Sequence, residues 1–509
     1  MTGRIAVYAA VILFLTPQGH SAEPRDHVLR VAATDVPAAL GNPYKSIGGT
    51  PGSVWDVLFD CLTAFDDTGS VAQALAVRWE NVAPTTWRFY LRQGATFSNG
   101  KAVDANAVVK SIEILKANPA YALSGEVVTI ARASAIDPLT VEIVTNRPDA
   151  ILPRRMSLVR IVEPETWAKL GPDAFAVSPV GSGPYKLENW GQSSGTLVLV
   201  ANPNSWRAPR DAARVEVLTL KDATTRVQAL VSGRVDVALS LNPDDMTTLK
   251  DAGFKIYIHH AGQIQVWALP NRRKADSPLN DVRVRQAINY AVNRQQIAAT
   301  LLNGVADPAS EGATPGTFGY DPELKPYPYD LDRARALLKE AGYPQGFPLI
   351  VDVLVGLGPA DAQIHQQAAQ DLGKIGIRVE LRTTPYAARP GKYYGGQWGD
   401  VDAFSTTWNG GLYRDAIRTA EDFACTKPNP FFCDTEITAL VARNPTIMDA
   451  AVREKELRQI MKLYRDRAAA LWLTEYNSII GLSPRVLNFK ARPTGIVLEQ
   501  INLASGATR

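Results

Sequence analysis

"SPVGSGPYKLENW", Ser178 to Trp190, sets Pro179 and Pro184 around Gly181 and Gly183 and closes on Tyr185 and Trp190. Proline fixes its own backbone, and glycine adopts angles that other residues resist. The stretch therefore reads as a rigid corner feeding a strand. "TLVLV", Thr196 to Val200, is the expected hairpin partner after the turn "GQSSG". What this corner joins decides how the chain is organised.

Upstream, Arg4 is the only charge ahead of an apolar stretch, Ile5 to Leu15, which is followed by "TPQGHSAE". A basic start, a short apolar middle and small residues at the exit form the plan of a secretory signal peptide. Cleavage is expected after Ser21 or Ala22, giving a signal segment 1–22 and an exported, periplasmic mature chain. The apolar run has about half of the roughly 20 residues that a membrane span needs. With no cysteine near the cut, no lipid anchor is expected.

About 485 mature residues exceed one ordinary core and suggest two or three domains. The chain is 46% hydrophobic and 21% charged, with a net charge of +3. Lys and Arg are dispersed among Asp and Glu, so no basic stripe points to nucleic acid. Cys425 and Cys433 bracket the loop "CTKPNPFFC", where an oxidising compartment favours a structural disulfide. Cys61, in "VLFDCLTAF", reads as a small buried side chain with only acidic neighbours, Asp60 and Asp66.

Catalytic equipment is sparse. The five histidines are His20, His27, His259, His260 and His365. His259 and His260 are adjacent on an alternating strand pattern, "FKIYIHHAGQIQVWAL", which points them to opposite faces. His365 lies on a polar helix and is expected to be exposed. The chain has no GxSxG, HExxH, Walker loop or Cys-x-x-Cys. Neither a metal, nor a cofactor, nor an enzymatic activity is called for.

The remaining pattern is α/β. "HVLRVAA" is a strand, followed by the glycine-rich "GNPYKSIGGTPGS" and the helix-like "VWDVLFDCL". A strand is predicted over Trp87 to Arg92, then a turn at Ser98 to Gly100. A helix follows, capped by Asp104, with Ala107, Val108, Ile112 and Leu115 on one face. "DATTRVQALVSGRVDVAL" reads as helix, Gly233 and a short buried strand. Val284, Ala287, Ile288, Ala291 and Val292 form another helical stripe. A further helix starts at Asp330 or Asp332 and stops at Gly342.

In order, "RWENVAPTTWRFYLRQGATFSNGKAVDANAVVKSI", "SPVGSGPYKLENW", "VQALVSGRVDVAL", "DVRVRQAINYAVNR" and "PYPYDLDRARALLKEAGYPQGF" resemble the landmarks of the family 5 extracellular solute-binding proteins. These are the peptide-, dipeptide- and nickel-binding receptors of ABC importers. The resemblance covers about Val28 to Ala491. It implies a bilobal α/β periplasmic-binding-protein fold with an additional third domain, and it makes the corner a crossing between domains. Domain I would combine 23–60, 178–264 and 484–509; domain II would be 61–177; domain III, the second ligand-clasping lobe, would be 265–483. Hinge strands are expected near Gln263 to Leu269 and Gly481 to Pro484. Ligand would lie between the lobes, with closure recognised by the membrane permease.

The resemblance also proposes contacts. Ile47, Gly48, Gly49 and Thr50 in "SIGGT", and Asn409, Gly410 and Gly411 in "TTWNGG", would offer main-chain groups to an extended ligand, with Trp408 as an apolar wall. Peptide binders carry an Asp three residues after that Trp, paired with the ligand's ammonium; here Gly411 stands there. Three alternatives follow. Asp415 substitutes for it, the ligand lacks an ammonium at that place, or Arg414 forks onto a ligand carboxylate. No histidine lies near the matching stretch, which disfavours nickel. The expectation is a monomeric, non-enzymatic receptor that captures a peptide or peptide-like solute for an ABC permease. A receptor for an opine-like conjugate, oligosaccharide or organic acid, or an exported hydrolase, are the alternatives.

Overall fold

The computed structural model describes residues 27–46, 49–355, 358–384, 388 and 390–504; the expected signal segment lies outside them. One ten-stranded mixed sheet runs through the molecule. Its first half orders the strands Tyr185–Asn189, Thr196–Ala201, Arg214–Thr219, Val28–Ala33 and Val237–Leu241. Its second half orders Ala403–Asn409, Pro348–Leu354 and Arg378–Thr384, joined side by side in parallel. Between the halves lie two long antiparallel strands, Lys255–Ala268 and Ala470–Leu482.

These two strands belong to both halves. Leu482, Gly481 and Ile479 pair with Val237, Ala238 and Leu241 of the first half. Gln263 to Ala268 pair with Asn409 to Phe404 of the second. The register between the long strands slips at His260 and Gln263, and Gly262, at φ +70°, supplies the bulge that a side chain would resist. Gly481 and Leu482, in the expected hinge, pair with Ala238 and Val237 of the first half.

Four further strands, 76–83, 86–91, 140–145 and 130–137, form a separate antiparallel sheet covered by the helix Ala105–Ala117. Trp87, Phe89, Leu91, Val141 and Ile143 alternate inward from its strands, as a half-buried sheet demands. The Asp104 carboxylate accepts Ala107 N–H at 2.9 Å, and Ala107, Val108, Ile112 and Leu115 are buried beneath the helix.

The opening corner has a simple physical cause. Gly181 and Gly183 have ordinary φ angles; their value is close approach. A Cβ on Gly181 would sit 2.0 Å from Leu58 O, and one on Gly183 2.3 Å from Val57 O. The corner thus lies flat on the end of the helix Gly49–Leu58, with Gly183 N–H donating to Leu58 O at 3.1 Å and Ser182 Oγ to Asp60 at 2.8 Å. It carries the chain from the helix Pro164–Val177 into the hairpin strand Tyr185–Asn189.

The second half packs its own core, with Val284, Ala287 and Ile288 of the helix Val282–Ala291 facing Val351, Ile364 and Leu471. Buried polar groups lock this helix to the crossing strand. Asn289 donates to Ala470 O at 2.9 Å and accepts Trp472 N–H at 3.3 Å, while Arg285 donates to Ala468 O at 3.2 Å. Asp330, not Asp332, caps the helix Leu331–Glu340, and Gly342, at φ +90°, follows its end. Cys425 and Cys433 are joined in a disulfide.

His365 departs from its expected exposure: it is 1% exposed. The helix Asp361–Gly373 turns it into the second core, where its Nδ1 accepts Trp267 Nε1–H at 2.9 Å and its Nε2 donates to Leu354 O at 3.3 Å. Periodicity missed it because a histidine is counted as polar whichever way it faces. Burial lowers its pKa to about 4, below the ordinary 6.5. Between those values the unfolded chain binds the extra proton, so this contribution to stability is whole above pH 6.5 and lost as pH falls toward 4. Urea midpoints at pH 7 and pH 5 are expected to differ less in His365→Gln than in the parent protein.

Candidate ligand-binding site

A cavity of about 730 Å³ opens where the two halves of the sheet meet. The first half contributes Phe59, Asp60, Trp206 and Arg207, the crossing strand Tyr257, His259 and His260, and the C-terminal hairpin Phe489 to Thr494. Leu412 and Arg414 reach it from the second half, on the turn that follows strand Ala403–Asn409. A bound solute in this volume therefore touches both halves, at the kind of interface where pockets form.

Most carboxylates of the wall are already committed. Asp60 accepts from Arg207 Nε at 2.7 Å and Trp206 Nε1 at 2.9 Å. Arg207 also pairs with Glu499. Asp56 accepts from Arg160 at 2.7 Å, and Asp67 pairs with Lys490. The Asp66 carboxylate accepts Thr68 N–H and Ser70 N–H at 2.9 and 3.0 Å and so closes its own turn. His259 Nε2–H donates to Arg492 O at 2.9 Å, and burial lowers its pKa to about 4. Cys61 lines the cavity half-buried rather than fully buried, and desolvation pushes its thiol up to about 12.

The residues expected to hold ligand fare unequally. Ile47 and Gly48 lie outside the described residues; Gly49 and Thr50 open the helix Gly49–Leu58. Trp408 is a core residue, 0% exposed, with its ring 4.3 Å from Phe423, 5.1 Å from Tyr464 and 5.2 Å from Trp472. Its indole thus packs among three other aromatic rings. The main chain of Thr406 to Asn409 is already paired with Gln263 to Val266, and Asn409 N–H donates to Thr419 Oγ1 at 2.8 Å. Gly410 O accepts Asp415 N–H at 3.1 Å. On its other edge the strand pairs with Val351 and Asp352 only at Ala403 and Phe404.

Gly411 sits on the bulge of the crossing strand. A Cβ there would lie 2.0 Å from Ala261 O and 3.1 Å from Gly262 Cα. Gly411→Asp is expected to lower stability by about 1–3 kcal/mol through overpacking. It should bring no gain in affinity for free-amine peptides, as calorimetric titration beside thermal unfolding would show. Asp415 is fully buried and pairs with Arg453, with Arg154 Nε 3.6 Å away and Ile417 N–H donating at 3.2 Å. It faces the protein and not the cavity. Among the described candidates, Arg414 alone lines it.

Sequence reasoning missed the contacts that hold the turn 411–415 in place. Arg154 Nη1 donates to Tyr413 O at 2.9 Å and to Arg414 O at 3.1 Å, reaching from the segment beside the four-stranded sheet. Arg155, 4% exposed, lies 3.6 Å from Asp149 and 3.5 Å from Glu421, and it donates to Tyr413 Oη at 3.3 Å. Tyr413 Oη donates in turn to Glu126, whose carboxyl burial pushes up. Ala150 N–H donates to Pro445 O at 2.7 Å. The additional sheet region and the second half are thus joined by hydrogen bonds and ion pairs.

The sequence profile of the bacterial extracellular solute-binding proteins, family 5 Middle, matches residues 70–429. The chain belongs to that family. Among relatives of this solute-binding protein, the glutathione-binding protein GsiB of Salmonella paratyphi A is 26% identical over 461 residues, 87% of this chain and 88% of its own. Heme-binding protein A of Haemophilus influenzae is 25% identical, covering 84% of this chain and 82% of its own. The fold matches that of NikA from Brucella suis, in complex with Fe(III)-EDTA, with a TM-score of 0.80 at 22% identity over 94% of this chain and 100% of that one. It also matches that of DppA from Helicobacter pylori, in complex with the peptide STSA, with a TM-score of 0.77 at 23% identity over 94% and 98%. The family and these relatives are binding proteins. Among the described residues of this family member, no helix is long and apolar enough to cross a membrane.

Proposed function

We propose that the protein is the substrate-binding receptor of an ABC importer, exported with cleavage of its signal segment to the periplasm. There it captures a peptide or peptide-like solute between its halves and presents the closed form to the membrane permease. The observation that carries this reading is the cavity of about 730 Å³, lined from both halves and from the strand that joins them. A ligand there gains contacts in the closed state that an open state lacks, and this difference shifts the population. The relatives that bind glutathione or di- and tripeptides support peptide-like ligands. Binding is stoichiometric, without product, by a monomer. Domain I, domain II and domain III as expected from the sequence correspond in this reading to the first half, the four-stranded region and the second half.

Arg414 is the ligand contact we assign within the turn, as a grip on a carboxylate. Asp415 and Gly411 do not line the cavity, so neither of them offers a carboxylate to an ammonium there. Thermal unfolding against di- to pentapeptides, their N-acetylated counterparts and non-peptide solutes tests the reading. A true ligand at a hundred times its Kd adds about 2.7 kcal/mol. Acetylated peptides are expected to stabilise as well as free-amine ones. Stabilisation by non-peptide solutes alone contradicts the ligand class, and turnover of any stabilising compound contradicts the binding role.

A further inference from the structure

The charges of the cavity wall balance. As many carboxylates as cations line it. Asp60 and Glu499 pair with Arg207, Asp67 pairs with Lys490, and Asp66 and Asp67 both act on Arg414. Net charge therefore gives a solute little attraction, and discrimination falls to the uncharged part of the wall. That part is aromatic. Phe65 comes from the hairpin strand Thr63–Phe65, Tyr257 from the crossing strand and Phe489 from the C-terminal segment, and all three are half-buried where they line the cavity.

These rings converge on Arg414. Tyr257 and Phe489 meet edge to face, with centroids 4.8 Å apart and planes at 65°. The Arg414 guanidinium lies within electrostatic reach of Tyr257. Arg154, which donates to Arg414 O at 3.1 Å, holds its own guanidinium 5.7 Å from the centre of the Phe65 ring. Ring surface thus surrounds the group assigned to a ligand carboxylate.

We infer that the cavity selects a solute with an aromatic side chain beside its carboxylate, received by Tyr257, Phe489 and Phe65. This deepens the receptor reading and rests on it, including the grip of Arg414. An aliphatic side chain of similar area gains the same release of water from the wall. An aromatic one adds ring-to-ring contacts, because a half-buried edge-to-face pair leaves ring surface for a third ring, and the guanidinium adds attraction to its face. Ring pairing of this kind is worth about two- to tenfold in affinity beyond the area buried.

The test uses N-acetylated peptides of two to four residues that end in Phe, each matched by the same peptide ending in Leu, so that charge is identical within a pair. They are titrated calorimetrically into the mature parent, Tyr257→Leu and Phe489→Leu. The parent is expected to bind the Phe peptide about three- to tenfold more tightly, and each variant to lose most of that preference while keeping its affinity for the Leu peptide within about twofold. Equal or tighter binding of the Leu peptide by the parent overturns the inference, as does a preference that persists in both variants. An equal loss for both peptides makes the rings supports of the wall and overturns it too, and so does a failure of every pair to bind. The receptor reading survives each of these results, because it fails only if no solute of the wider panel stabilises the protein.

Discussion

Replacing Asp415 with alanine is expected to lower the stability of the ligand-free protein by about 3–5 kcal/mol, the cost of stranding a buried ion partner. Asp415 is 0% exposed and pairs with Arg453, itself 3% exposed, so the lost carboxylate leaves an enclosed cation with a neutral acceptor, Asn444 Oδ1 at 3.3 Å, in place of its ion partner. Arg154 loses a carboxylate at 3.6 Å, its only ion pair among the described residues, in the same change. The Ile417 N–H also loses its acceptor. The urea midpoint should fall with an unchanged m-value, and Asp415→Asn should fall less because its amide oxygen still accepts. An amine-binding role for Asp415 predicts the opposite pattern: full stability and collapsed affinity for free-amine peptides alone.

The second large effect falls on ligand release. Arg154→Ala removes two charge-assisted hydrogen bonds, to Tyr413 O and Arg414 O, that join the additional sheet region to the ligand-bearing turn. Such bonds to a charged donor are worth about 1.5–3 kcal/mol each, and in the proposed capture mechanism they form as the halves come together. Affinity is therefore expected to drop by about 2–4 kcal/mol, or roughly thirtyfold to a thousandfold, mostly as faster dissociation. Stopped-flow release of a ligand found by the thermal panel measures this. An unchanged dissociation rate in a destabilised variant would make Arg154 a brace of the fold and nothing more.

Local structure was legible in the sequence because periodicity and caps are local. Asp104, the face Ala107 to Leu115, and the stripe Val284 to Ala291 all stand where their spacing put them. The corner 178–190 was legible as a corner, but its reason was not: Gly181 and Gly183 answer to the main chain of Val57 and Leu58, over 120 residues upstream. The same distance problem governs the site. Asp415 and Arg414 are neighbours in sequence, yet one turns to Arg453 in the core and the other to the cavity. A loop has no period to say which way each side chain points. Arg492, in "KARPTG", gave no signal at all, since only the return of the C-terminal hairpin to helix Gly49–Leu58 brings it into the wall. Trp408 misled because a large apolar residue suits a ligand wall and a core equally well.

Ligand is expected to close the two halves about the paired strands Lys255–Ala268 and Ala470–Leu482. Small-angle X-ray scattering of the mature protein, with and without a stabilising solute at saturation, tests it directly. The radius of gyration is expected to fall when the solute is added, with the scattering curve shifting to that of a more compact molecule. A curve that does not change at saturating ligand would contradict closure as the means of capture.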